Sequence, residues 1–335
     1  MVVPKREEAM RIDRYLPVLA VLAAFVIGAV APAKANDAFG SKPIQLIVGF
    51  TPGGGSDTAA RVIAPILAKE LRATVIVDNK PGAAGIIASD FVAKAKPDGH
   101  TLLVASPGAF TIAPYLNKLP YDPVKDFTPV SQLTFYPNIM VAGAETGITS
   151  VSELIAKTKA APGKYNFAST GVGATPHLAF AYFSMLTGID LNHVPYKGNP
   201  QAVADVLGGR VEFYVADPAA VLPHIQTGKL RALALSTKDK SRLFPDIPSM
   251  TEAGVPKFDV PFWHGLMAPK GLPDDIVKKL LAALSVIGAD REVNAAIEKA
   301  GMELRLSNPK DFAQMMDGER ARWKYVIETN NIKAE

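Results

Sequence analysis

From residue 43 onward, short runs of β-branched and other apolar residues alternate with longer stretches in which apolar residues recur every three or four positions. Residues 44–50, 75–78 and 101–106 read as strands, and 57–71 and 84–95 as helices. In the first helix Val62, Ile63, Ile66, Leu67 and Leu71 fall on one face. Pro65 lies inside it and is expected to kink the helix or to mark its first turns. Alternation of this kind predicts an α/β fold with a mainly parallel sheet.

A Pro-rich stretch at 119–129 interrupts the alternation, residues 130–142 read as extended, and a second series follows. It has helices near 150–160, 176–187 and 199–207, a short helix ending near 227, and strands at 165–168, 193–195, 213–216 and 232–236. After a second Pro-rich segment at 244–261, a strand at 262–268 precedes helices near 273–288 and 308–329. The pattern predicts two α/β lobes, the middle one inserted into the first: residues 36–136 with 260–335, and residues 137–259. Two extended crossings, near 130–142 and 256–266, would form the hinge.

Residues 1–35 stand apart. Lys5, Arg6, Arg11 and Arg14 precede the apolar run 15–31, and Ala33-Lys34-Ala35 follows. This is the layout of a cleaved export signal, with an uncleaved membrane anchor as the alternative. Cleavage after Ala35 takes away five basic and three acidic residues, so the formal charge of +4 becomes about +2 on about 300 residues. The basic character therefore says little about partners, and nucleic-acid binding is not expected. The absence of cysteine excludes thiolate catalysis, Cys-ligated metals and disulfides, and suits an exported bacterial envelope protein.

Two Gly-rich turns follow strands and open helices. The first, Phe50-Thr51-Pro52-Gly53-Gly54-Gly55-Ser56-Asp57, can present backbone N–H groups to an anion at a helix N-terminus. It is neither a Walker A motif nor a dinucleotide fingerprint. Asp57 reads most simply as an N-cap. The second, Ala168-Ser169-Thr170-Gly171-Val172-Gly173-Ala174-Thr175-Pro176, adds three hydroxyls. An ordinary βα loop is the alternative for either, but one such turn in each lobe would face across a cleft. Pro81-Gly82-Ala83-Ala84-Gly85 either lies beside the first turn or only packs closely. Ser106 follows a strand at its carboxyl end, where α/β sheets place ligands. Asp217 could meet a ligand amine or hydroxyl, or open a helix before Pro218. The histidines lack metal-ligand spacing, His177 reads as a helix-surface or capping residue, and no nucleophile elbow occurs. Neither a metal nor a cofactor is expected.

The ordered strings at 43–54, 57–61, 79–85, 97–103, 193–198 and 263–266 resemble the Bug-type receptors, the periplasmic solute-binding components of tripartite tricarboxylate transporters. The resemblance runs over about residues 40–332. It implies a two-lobed type II periplasmic-binding fold of two mixed sheets flanked by helices. It further implies a small organic carboxylate in the cleft and delivery, by a monomeric receptor, to a permease with one large and one small integral subunit. Mapped onto this chain, it points to Phe50, Thr51, Gly53, Gly54 and Asp57 in the first lobe and Ser169, Thr170, Gly173 and Thr175 in the second, with Ser106 and Asp217 as neighbours. Several family members carry Asn-Pro where this chain has Ala113-Pro114. Lys80 replaces the more usual arginine, and Leu71-Arg72-Ala73 the usual Leu-Gly-Gln.

A few amide and hydroxyl donors suffice energetically, because each hydrogen bond to a charged group contributes roughly 1.5–3 kcal/mol against the ~8.2 kcal/mol of micromolar affinity. An enzyme on the same fold would need a nucleophile–base pair, a metal cluster or a cofactor motif, and the sequence offers none. A receptor that signals to a membrane sensor kinase needs the same cleft and hinge, and stays open as an alternative to transport.

Overall fold

A computed structural model of the chain describes residues 39, 40 and 42–333, so the export signal expected at 1–35 lies outside the described residues. Among the described residues no helix is long and apolar enough to cross a membrane.

The first βα units begin as the periodicity predicts. Strand β1 (Ile44–Val48) leads into helix α1 (Gly55–Leu71), β2 (Val75–Asn79) into α2 (Ile86–Ala93), and β3 (Thr101–Ala105) into short helical turns. β1 pairs in parallel with both β2 and β3. Strands β4 (Phe127–Pro137) and β10 (Pro261–Pro269) add antiparallel pairs, so the first sheet is mixed, in the order β11-β4-β10-β3-β1-β2, with β11 at Glu303–Leu304. Helix α1 runs through Pro65, which lies in its interior and not in its first turn, so of the two roles expected of this proline the helix start is not the one found. The lost N–H bond is tolerated on an exposed position of a helix whose other face buries Ile63 and Leu67.

The second sheet has the order β7-β6-β8-β5-β9, from β5 (Ile139–Gly143), β6 (Asn166–Ser169), β7 (Asn192–Pro195), β8 (Phe213–Ala216) and β9 (Leu230–Leu235). β6 pairs in parallel with β7 and β8, while β5 runs antiparallel to β8 and β9. Its helices are α3 (Val151–Ala160), α4 (Thr175–Thr187), α5 (Asn199–Leu207) and α6 (Pro218–Gln226). Phe180, Phe183 and Phe258 fill one core beside this sheet, and Val203, Val206 and Val221 another. Two mixed sheets flanked by helices are what the family resemblance implies; the mainly parallel sheet expected from the alternation is not found, because β4, β5 and β10 pair antiparallel with their neighbours.

The chain passes between the sheets where β4 ends at Pro137 and β10 begins at Pro261. Ser236 clasps both crossings. Its hydroxyl accepts from the Asn138 N–H at 2.9 Å and donates to the Val260 carbonyl at 2.6 Å. Its backbone accepts from Val260 N–H and donates to the Asn138 carbonyl, each at 2.7 Å.

The last part of the chain departs from the expected pattern. After α7 (Asp274–Ala289) a separate helix α8 (Arg291–Lys299) starts, capped by Asp290, and α9 (Pro309–Thr329) closes the fold. Phe312 and Met316 of α9 pack with Phe110 and Trp263 in the first sheet's core, whereas Trp323, Val326 and Ile327 lie in the core that holds Phe183 and Phe258. Between these halves, buried Glu319 accepts from Trp263 Nε1 at 2.9 Å and from the Thr111 hydroxyl at 3.4 Å. α9 is thus a third link between the sheets, beyond the two crossings.

Candidate functional site

A cleft of about 1080 Å³ opens between the carboxyl ends of strands from the two sheets. It is lined by the first turn from Gly49 to Ser56, by Pro81–Ala84, by Thr170–Gly173 and Pro176, by Tyr196–Pro200, and by Tyr136, Asp217 and Phe262. Its charged side chains are Lys197, which is exposed, and half-buried Asp217.

Phe50, Thr51, Gly53 and Gly54 line this cleft as expected, but Asp57 does not. Gly54 is the N-cap of α1, and Asp57, 3% exposed, turns its carboxylate back beneath the turn. It accepts from Gly53 N–H at 2.9 Å, from Arg61 Nε at 2.9 and 3.0 Å, and from Asn79 Nδ2 at 2.9 Å. Burial opposes its charge, yet these donors hold the carboxyl below its ordinary pKa. Asp57 therefore shapes the turn from behind, much as an acid in a capping box reaches back across a helix start. Gly55, Ser56 and Asp57 begin the helix with no preceding turn to accept their N–H bonds, which leaves donors and a positive dipole end at the cleft wall. Gly55 packs closely, since a Cβ there would stand 3.3 Å from both Tyr136 Oη and His264 Cε1 and would need those side chains to give way slightly.

Pro81–Gly85 lies beside the first turn: a Cβ on Gly49 would stand 2.8 Å from Gly85 Cα. Ala83 and Ala84 both hold left-handed φ, 46° and 52°, a strained conformation for alanine at a wall of the cleft.

In the second turn Thr170 and Gly173 reach the cleft, whereas Ser169 and Thr175 are buried behind it. The Ser169 hydroxyl accepts from Gly171 N–H at 3.1 Å, donates to the Gly171 carbonyl at 3.0 Å, and meets His193 Nε2 at 2.6 Å. Those three bonds are mutually consistent when His193 donates. Gly173 N–H donates to His177 Nδ1 at 3.1 Å, and the rings of His177 and His193 stack 3.9 Å apart at 3°. Burial pushes each imidazole down to about 4, and for His193 the neighbouring His177 adds to it. The stacked neutral pair thus buttresses the turn. Ser106 is likewise buried, at the end of β3, and does not line the cleft.

Asp217 does line it, and three residues that sequence reasoning passed over surround it. Tyr136 donates to Asp217 Oδ1 at 3.4 Å, Asn199 Nδ2 donates to Oδ2 at 2.8 Å, and the Tyr214 hydroxyl donates to Asn199 Oδ1. Burial raises the Asp217 pKa, and the two donors counter it. Tyr136 also packs on Phe262 with centroids 5.1 Å apart. Asn199 carried one visible signal, its place before Pro200 after a glycine, which is a helix start. Tyr136 carried none, because its partners come from other elements. Ala113, where the chain departs from the Asn of several family members, faces the cleft with Asn117.

Residues 59–332 match the tripartite tricarboxylate transporter family receptor. The chain belongs to this family. It is 36% identical to the protein BugT of Bordetella pertussis over 329 residues, 97% of this chain and 99% of that one. The solved structure of the periplasmic binding protein BugD is 31% identical with a TM-score of 0.78, covering 88% of this receptor and 99% of BugD. That of Rhodopseudomonas palustris Rpa4515 with adipate is 31% identical with a TM-score of 0.82, over 88% of the receptor and 99% of its relative. The receptor accordingly has the type II periplasmic-binding fold, and its family is one of solute-binding proteins, not of enzymes. Among the described residues no group of His, Cys, Asp and Glu is placed to hold a metal.

Proposed function

We propose that this receptor captures a small organic carboxylate in the periplasm, after loss of its first 35 residues, and delivers it to a two-subunit membrane permease. The observation that carries this reading is the pairing of two strand-to-helix turns, Phe50–Ser56 and Thr170–Gly173, across one cleft that no arginine lines. Backbone donors at the start of α1 suit a carboxylate, and the relative Rpa4515 was solved with adipate. The cleft volume of about 1080 Å³ is just above the roughly 300–1,000 Å³ usual for ligand sites. A small acid would fill it only after the lobes close.

The lobes in this reading are 36–136 with 260–335, and 137–259, turning about the crossings that Ser236 holds. The acid held by the first turn gains the second set of contacts only on closure, and that differential binding shifts the population. The receptor would act as a monomer that the permease recognises in its closed form. The test is uptake of radiolabelled acid into vesicles containing the two permease subunits. Uptake that requires the receptor is expected; uptake indifferent to it, with acid binding intact, would contradict delivery.

A further inference from the structure

We infer that the cleft selects organic acids bearing a hydrogen-bond donor, a hydroxyl or an ammonium group, near the captured carboxylate, and that Asp217 is the residue that selects it. This rests on the carboxylate reading above and deepens it.

Both side chains that hydrogen-bond the Asp217 carboxylate donate to it. Tyr136 and Asn199 occupy one acceptor position on each carboxylate oxygen, and Tyr214 fixes the Asn199 amide in the orientation that makes it a donor. A carboxylate offers about four acceptor positions, so two remain, on a group that lines the cleft. Among the described residues no ion pair reaches Asp217; burial disfavours its charged form and the two donors counter that. Water can fill the free positions while the cleft is open. After closure only a ligand donor can do so, and a second ligand carboxylate there would set two acceptor-only anions against each other at a desolvated site.

The position of the donor on the ligand follows from Tyr136. Its hydroxyl is 3.4 Å from Asp217 Oδ1, and it lies 3.3 Å from the place a Cβ on Gly55 would take. Asp217 therefore stands about one hydroxyl group away from the opening residue of α1. A carboxylate seated on the α1 amides brings its adjacent carbons, rather than a distant end, to Asp217.

Titration calorimetry on the whole exported protein tests this with three sets of acids that differ only at the carbon beside one carboxylate. They are succinate, L-malate and L-aspartate; glutarate, 2-hydroxyglutarate and L-glutamate; and phenylacetate, mandelate and phenylglycine. In whichever set binds, the hydroxyl or ammonium member is expected to bind at least about tenfold more tightly than the unsubstituted acid, a hydrogen bond to a charged group setting that scale. The relative rank of hydroxyl and ammonium tells which donor is read. Asp217→Asn, which keeps the shape, is expected to bring the members of that set within about threefold of each other. Equal binding by the unsubstituted acid in the wild-type protein overturns the inference without use of any variant, as does an unchanged ratio in folded Asp217→Asn. Binding by none of the nine while adipate or another acid without such a donor binds would likewise overturn the inference, and binding by no acid at all would remove the carboxylate reading and this inference with it.

Discussion

Arg72 ends α1 in the left-handed region, φ 50° and ψ 42°, at the position where the family usually has glycine. A Cβ makes that conformation costly, and glycine is the common solution at a helix end. Arg72→Gly is therefore expected to stabilise the receptor by about 0.5–1 kcal/mol, visible as a higher urea midpoint at unchanged slope. Asp57 gives the opposite case. Its carboxylate satisfies Gly53 N–H, Arg61 and Asn79 at once. Asp57→Ala is expected to cost about 1–3 kcal/mol in the same experiment, because the partners lose a buried acceptor. The sequence made both residues visible as departures or candidates. It could not tell which way the Asp57 carboxylate points, since a first-turn acid can face a ligand or reach back beneath its own turn.

At the scale of elements, strands and most helices were legible because apolar spacing of two or of three to four residues reports a buried face directly. β11 has two residues and α8 begins straight after α7, so neither offered a separate period. Of the expected contact residues, Phe50, Thr51, Gly53, Gly54, Thr170, Gly173 and Asp217 line the cleft, whereas Asp57 and Ser169 brace its turns from behind and Ser106 and Thr175 are buried away from it. Small polar residues beside glycines serve both roles, and the local string does not separate them. The stacked histidines belong to β7 and α4, and only the parallel pairing of β6 with β7 brings His193 under Ser169. Their role predicts a sharp contrast. His177→Asn places an amide oxygen where Nδ1 accepts from Gly173 and is expected to keep acid affinity within about twofold, whereas His177→Leu orphans that N–H and should weaken it about tenfold. Calorimetry with an acid that binds the wild-type receptor distinguishes the two; equal loss in both would show that the bond to Gly173 is not what matters.

For the whole molecule, burial sets the pH dependence. His177 and His193 are held down to about 4 and His264 to about 3, while the unfolded chain protonates histidine near 6.5. The unfolded state binds more protons throughout the interval between these values, so stability falls as pH drops from about 6.5 toward 4. For each histidine, a tenfold difference in proton affinity between the folded and unfolded chain is worth about 1.4 kcal/mol. Melting temperature is therefore expected to decline by several degrees or more across that interval, and a flat profile would mean that the histidines are not buried neutral. The division into two sheets was legible from the interrupted alternation and the two Pro-rich segments, whereas their mixed character was not, because the antiparallel strands β4, β5 and β10 have the same apolar runs as parallel ones. The third link through α9 was not, because its one apolar stripe serves two cores in succession.

The central claim is that uncharged turns facing each other across the cleft bind an organic acid, and a thermal-shift panel of di- and tricarboxylates, amino acids, sugars and neutral peptides tests it most directly. At 100 times its dissociation constant a ligand adds about 2.7 kcal/mol, and a chain of this size gains roughly 2–4 °C per kcal/mol. A shift of about 5–10 °C with at least one carboxylate, and none with sugars or neutral peptides, is the predicted result. Stabilisation by a sugar or a neutral peptide with no response to any acid would contradict the account.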